Sequence, residues 1–275
     1  MKNFPNAKIN IGLNIIERRA DGYHNIETVF YPACLHDVLE ISPSLQGGVT
    51  EDYLFFQNGI PATDDTENNL IIKALRLLKE DFAIPPVEIA IEKNIPTGAG
   101  LGGGSADAAF TLKMLNEIFN LRLTNNQLES YAARLGADCP VFIRNKPIFA
   151  TGTGNIFSPV NISLKEYYLL LVKPNIYVST PAAYAQVTPC KPEKSISELL
   201  KNPIESWKTL IFNDFEKSVF RQFPVIDKIK TQIYELGAVY ASMSGSGSAV
   251  YGIFAYPPPL PDFQDCFVWK GKFFI

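Results

Sequence analysis

Apolar positions change period once between residues 86 and 119. In PVEIAIEKNIP, Val87, Ile89 and Ile91 alternate with Glu88 and Glu92, the period of a half-buried strand. Further on, Ala108, Leu112, Leu115 and Phe119 recur at helical spacing. Between the two lie five glycines in seven residues, Gly98 to Gly104. The pattern predicts strand, glycine loop, helix, with Ser105 capping the helix and Asp107 in its first turn.

The same reading extends along the chain. Residues 7–16 and 26–42 read as strands joined by the turn RRADGYHN. Residues 68–82 read as a helix with Leu70, Ala74, Leu75 and Leu78 on one face. A helix over 125–135 has a capping box, Thr124 with Gln127, and a stop at Gly136. After Gly154 a strand, KEYYLLLVKP, leads into a Pro- and Lys-rich stretch over 189–203. A helix over 224–236 opens on Pro224 and ends at Gly237. Val239 to Phe254 reads as strand, SGSGS loop, strand. PPPLP at 257–261 is a rigid surface connector, and no internal repeat is present. The expected class is α+β, with a boundary near 150–160 that divides the chain into 1–155 and 156–275.

A glycine loop that opens a helix is an anion site, because bare amides converge where the helix dipole is positive. Three familiar phosphate loops fit poorly. A Walker A loop needs Lys where Gly104 stands. Gly98, Gly100 and Gly103 spell GxGxxG, but Pro96 and Thr97 separate strand from glycines, where a Rossmann turn follows the strand directly. A protein-kinase loop runs into a second strand, not a helix. A flexible linker would not be framed so tightly by periodic segments.

Bulk properties narrow the setting. The 275 residues suit one or two domains, with 47% hydrophobic and 19% charged residues. A net charge of −3 provides no footprint for nucleic acid or an anionic membrane. The N-terminus lacks a signal-peptide core, and the apolar run from Tyr167 to Val172 is too short to cross a bilayer. Cys34, Cys139, Cys190 and Cys266 form no CxxC pair, which favours reduced thiols in the cytoplasm over a zinc site. His36 has no motif around it and reads as structural.

The run from Pro96 to Ala109, PTGAGLGGGSADAA, resembles the second motif of the GHMP kinases, P-x-G-A-G-L-G-G-G-S-S-D-A-A. Ala106 replaces the second serine of that motif. AKINIGLNI, with Lys8 and Asn10, resembles the family's first motif, and Met243 to Ser248 its third. Asp21-Gly22-Tyr23-His24 and LGADCPVFI resemble the branch whose small-molecule substrate carries a cytidine diphosphate, in the non-mevalonate isoprenoid route. These matches run from residue 7 to about 254.

The resemblance implies a two-subdomain fold, ribosomal-protein-S5-like at the N-terminus and ferredoxin-like at the C-terminus. It implies a kinase using ATP and Mg²⁺. Lys8 and Asp138 are then catalytic, Asp138 as base and Lys8 as its partner and a charge stabiliser. The ATP site comprises Pro96, Thr97, Gly98, Ala99, Gly100, Leu101, Gly102, Gly103, Gly104, Ser105 and Ala106, with Asn69, Leu70 and Lys93 toward the adenine. Asn10, Tyr23, His24 and Tyr184 hold the substrate, the two tyrosines stacking on cytosine and His24 meeting its edge. Ser105 coordinates the metal or a phosphate. Asp107 either approaches the metal or holds the loop. A monomer or weak homodimer is expected. Two other readings are a GHMP kinase for homoserine, mevalonate or a sugar, and a non-catalytic nucleotide sensor. The Asp21–His24 segment and Tyr184 argue against the first. Lys8 with Asp138 argues against the second.

Overall fold

A computed structural model describes residues 1–44, 52–60, 66–260 and 262–273. In chain order the strands and helices begin with β1 (Lys2–Asn3), β2 (Asn6–Arg18), β3 (His24–His36), β4 (Val38–Pro43) and β5 (Tyr53–Gly59). Then come α1 (Leu70–Lys79), β6 (Val87–Lys93), α2 (Gly103–Ile118), α3 (Asn125–Leu135) and α4 (Val141–Arg144). The later part holds β7 (Ile148–Thr151), β8 (Ile156–Pro159), β9 (Tyr168–Pro174), α5 (Thr180–Ala185), α6 (Ile196–Leu199) and α7 (Trp207–Leu210). It ends with α8 (Phe215–Gln222), α9 (Pro224–Glu235), β10 (Tyr240–Met243), β11 (Val250–Phe254) and β12 (Cys266–Lys272). This is the mixed, α+β composition expected.

The chain forms two compact units built from non-contiguous stretches. The first comprises Met1–Ala7, Leu35–Thr97 and Gly102–Asn145. Its sheet has the order β1-β4-β6-β5. β6 runs antiparallel to β4 and parallel to β5, with Ile89 opposite both Ile41 and Phe55. Val87, Ile89 and Ile91 are buried, so the period of two did mark the inward face. α2 packs on α1, α3 and α4, and against β4. Its small Ala108 and Ala109 are completely buried at these close contacts.

The second unit comprises Lys8–Cys34, Gly98–Leu101 and Lys146–Ile275. It holds a sheet ordered β2-β3-β7-β8 and another ordered β10-β11-β9-β12. α9 covers β10 and β11, burying Ile226, Ile229 and Ile233 against Met243 and Val250.

Several local expectations hold. Thr124 and Gln127 make a reciprocal capping box on α3, with Gly136 as its C-cap. Pro224 stands at the first turn of α9, and Gly237 follows it at φ +96°. Four others need correction. The strand expected over 26–42 breaks at Asp37, whose backbone N–H turns to the Pro5 carbonyl. The helix expected over 68–82 is a 3₁₀ turn, Thr66–Asn68, followed by α1, with Asn69 as N-cap. Asp138 precedes the short helix α4 and not a strand, because Pro140 opens a helical turn at Val141. Ser105 does not cap α2: Gly102 does, at φ +73°, and no side-chain bond closes that end. Asp107 therefore lies past the first turn. The last residue of PPPLP, 261, lies outside the described residues.

Candidate active site

The glycine turn belongs to the second unit from Gly98 to Leu101, and three of its carbonyls are occupied. The Ala99 carbonyl accepts from Ala249 N at 3.1 Å, and Leu101 O from Lys8 N at 2.9 Å. Gly100 O accepts from Lys8 Nζ at 3.0 Å and from Ser244 Oγ at 2.8 Å. In a trans peptide the next N–H points opposite the carbonyl. The amides of Gly100, Leu101 and Gly102 therefore turn away from those donors, an arrangement suited to an anion.

Gly100 is held at φ +75°, and a Cβ there would lie 2.0 Å from the Ser244 carbonyl oxygen. The backbones of the second and third motifs meet at that point, and only glycine fits. Gly100→Ala is expected to cost about 2 kcal/mol from strain alone. Chemical denaturation checks this; an unchanged midpoint would show that the two loops can part freely.

Lys8 is 3% exposed and not a solvated strand end. Its ammonium donates to Asn10 Oδ1 at 2.6 Å and lies 5.0 Å from the Phe30 ring centroid. Asn10 in turn donates from Nδ2 to Thr28 Oγ1 at 3.1 Å, and its N–H reaches Ser244 Oγ at 3.3 Å. The structure thus brings together Lys8, Asn10, Gly100 and Ser244. Sequence reasoning missed the supports beneath them. Asn213 Nδ2 donates to the carbonyls of Met243 and Gly245, both at 2.8 Å. Glu216 Oε1 accepts from Ser242 Oγ at 3.0 Å and Met243 N at 2.8 Å. Neither residue lies in a motif, so no local signal pointed to them.

The aromatic group lies in the same unit. His24 stacks on Tyr184, centroids 4.7 Å apart and planes at 19°, and Phe215 meets Tyr184 edge-on at 4.8 Å. Tyr23 is 68% exposed. The hairpin tip that carries it is set by Asp21, which accepts from the Tyr23 N–H at 3.0 Å. The Arg19 guanidinium beside Asp21 holds that carboxyl below the usual carboxylate range. A cavity of about 710 Å³ is lined by Tyr23, His24 and Tyr184 with Arg18, Thr153 and Thr180. That volume suits a small-molecule ligand. Arg18, which begins the RRADGYHN turn, joins the expected residues here.

The first unit holds the helix start. Gly103 to Ala106 form the opening turn of α2, whose N–H groups have no side-chain cap. Gly104 is exposed, and a Cβ there would only graze Leu70 Cδ1 at 3.8 Å. Ala106 is fully buried, so the residue that departs from the motif faces the interior. Asp138 is half-buried in the turn between α3 and α4. Burial pushes the adjacent Cys139 thiol up to about 11, with the nearby Ser105 hydroxyl working the other way. Ser105 and the Asp138–Cys139 turn are therefore neighbours.

Asn69 and Lys93 both make hydrogen bonds within the first unit. Asn69 Oδ1 caps α1, accepting from Ile71 N at 2.9 Å. Lys93 is 4% exposed and its ammonium binds two buried carboxylates, those of Asp37 and Asp107, the latter at 2.5 Å. Burial pulls Lys93 down, yet the two acids together hold it above the ordinary lysine value. Burial also pushes Asp107 up to about 7, because Lys93 cannot fully offset its desolvation beside Asp37. Asp37 was missed; it stands alone in LHDVLE with no motif around it. Among the described residues, no cluster of three or more His, Cys, Asp or Glu side chains could hold a metal. No described helix is long and apolar enough to cross a membrane.

Residues 69–146 match the profile of the GHMP kinases N terminal domain, and residues 195–267 that of the GHMP kinases C terminal domain. The chain belongs to the GHMP kinase family and is an ATP-using kinase. Two relatives are each named 4-diphosphocytidyl-2-C-methyl-D-erythritol kinase. The Parabacteroides distasonis protein is 55% identical, covering 98% of each chain. The Bacteroides thetaiotaomicron protein is 54% identical, covering 99% of this chain and 100% of its own. A crystal structure of 4-(cytidine 5'-diphospho)-2C-methyl-D-erythritol kinase superposes with a TM-score of 0.79 at 32% identity, covering 92% of this chain and 90% of its own. The Methanococcus jannaschii mevalonate kinase superposes at 0.70 with 15% identity over 98% of this chain and 97% of its own, which shows the shared fold.

Proposed function

We propose that this chain transfers the γ-phosphoryl group of ATP to the 2-hydroxyl of 4-diphosphocytidyl-2-C-methyl-D-erythritol, a step toward isoprenoid precursors. The observation that carries the reading is full-length identity above one half to kinases of that name. The cavity at the Tyr23–His24 turn supports it.

Phosphoryl transfer depends on alignment and charge stabilisation more than on covalent help. In this reading the amides of Gly98–Gly104 and the open end of α2 hold the triphosphate, and Pro96 and Thr97 set the turn's entry. Asn69 and Leu70 flank the adenine. The substrate hydroxyl oxygen attacks the γ-phosphorus, the bond to the bridging oxygen breaks, and ADP leaves. Asp138 takes the hydroxyl proton, and Lys8 offsets charge on the moving group. Asn10 orients the substrate beside Lys8.

Mg²⁺ suits this site, because it binds through one or two protein oxygens together with phosphates and water. The Ser105 hydroxyl, at the start of α2 beside the Asp138 turn, is the donor we assign to it. Bound there, the ion would offset phosphate charge. Residues 1–155 would serve the nucleotide and 156–275 complete the substrate side, the whole working in the cytoplasm as a monomer or weak homodimer.

Aromatic stacking on a base contributes about 1–3 kcal/mol. Tyr23→Ala is expected to raise KM for the cytidine substrate by about tenfold or more with KM for ATP unchanged. Tyr184→Ala should add a stability loss, since Tyr184 also packs on Phe215. Steady-state kinetics measures the KM changes and thermal unfolding the stability loss, and an unaltered substrate KM would remove the tyrosines from the base site. The reading as a whole is tested by ADP release with a panel of acceptors. Turnover should require the cytidine diphosphate alcohol. Faster turnover with homoserine, mevalonate or a sugar, or binding without turnover of any acceptor, would overturn it.

A further inference from the structure

The glycine turn has two covalent ends, and one buried cluster holds both. β6 ends on Lys93, which shares the inward face of Val87, Ile89 and Ile91. Asp37, at the break between β3 and β4, accepts from the N–H groups of Asn94 at 2.5 Å and Ile95 at 2.8 Å. Its other oxygen binds the Lys93 ammonium, which also reaches Asp107 Oδ2 at 2.5 Å. The three side chains are at most 5% exposed. Strand exit, β3–β4 corner and the second turn of α2 are thus one polar knot within the first unit. The residues it fixes lie on either side of 96–102.

Stability alone does not account for such a cluster. Apolar side chains of similar volume often serve the fold as well as, or better than, buried ion pairs. What ions and directed hydrogen bonds add is a defined geometry. Two of the three ammonium protons are already committed to carboxylates, which leaves Lys93 poorly placed to read a base.

We propose that Asp37, Lys93 and Asp107 form a clasp that fixes the ends of the glycine turn and so preorganises its amides for polyphosphate. Lys93 is a positioning residue and not a ligand of the adenine. The inference rests on the ATP reading of this site.

The experiment measures competitive binding of inorganic tripolyphosphate alongside ATP, because tripolyphosphate has phosphates and no base. Asp107→Ala opens the clasp while Lys93 keeps Asp37 as its counter-charge. KM for ATP and Ki for tripolyphosphate should both rise by about tenfold, since a loosened loop must be reordered on binding. The kcat and the KM for the cytidine substrate should stay near wild type. Asp107→Asn, which keeps an acceptor for Lys93, should restore both constants. Unchanged constants in the alanine variant, or a loss confined to ATP, would overturn the clasp. Should that variant fail to fold, the charge-balanced Asp37→Asn/Lys93→Gln decides. ATP and tripolyphosphate should weaken by the same factor, and a loss confined to ATP refutes the inference. A wild-type protein that binds neither probe would remove the ATP reading itself, a result distinct from failure of the clasp.

Discussion

Asp138→Asn is expected to lower kcat by about 10²–10⁴-fold, the usual worth of a positioned general base, with KM for ATP nearly unchanged. The amide keeps the size of the carboxylate and cannot take a proton. The fold should hardly register the change, because main-chain bonds close the surrounding turn. Cys139 N donates to Gly136 O at 3.2 Å, Phe142 N to Cys139 O at 3.2 Å and Ile143 N to Pro140 O at 3.1 Å. A structural carboxylate and a catalytic one therefore separate cleanly. A normal kcat with a lowered melting temperature would make Asp138 a loop residue. A normal melting temperature with lost turnover is the expected outcome.

Lys93→Met should be the most damaging single change to stability. It strands Asp37, fully buried, and Asp107, 3% exposed, as neighbouring acids without a counter-charge. Removing one partner of a buried pair costs about 3–5 kcal/mol. The loss should show as a large fall in the denaturant midpoint at neutral pH. Adding Asp37→Asn should recover part of it, since one stranded charge is then gone. If Lys93→Met shifts the midpoint by no more than a surface substitution does, the cluster is better solvated than its burial implies.

The strand–glycine–helix unit was legible because each part is local. Val87, Ile89 and Ile91 mark a strand face, Ala108, Leu112 and Leu115 a helix face, and glycines mark the turn between them. The helix start was misread for a physical reason. Capping preferences favour Ser105, whereas the chain uses left-handed Gly102 and leaves its amides open, as an anion site requires. Lys93 was read from the sequence only as a residue toward the adenine; in the structure it is buried in step with Val87, Ile89 and Ile91. Its partners were not legible, since Asp37 lies 56 residues away and reaches it only through the fold. His24 and Tyr184 were both chosen as substrate residues. Their mutual stacking, which joins the start of β3 to α5, was not foreseeable from spacing.

The central claim is chemical: the chain moves the γ-phosphoryl group of ATP onto the 2-hydroxyl of the cytidine diphosphate alcohol. Product analysis tests it most directly. The protein is incubated with ATP, Mg²⁺ and 4-diphosphocytidyl-2-C-methyl-D-erythritol, and the product is examined by mass spectrometry and phosphorus NMR. The account predicts stoichiometric ADP and a substrate heavier by one phosphoryl group, with a new phosphomonoester on the 2-oxygen. ADP without that ester, or an ester on another oxygen, would contradict it.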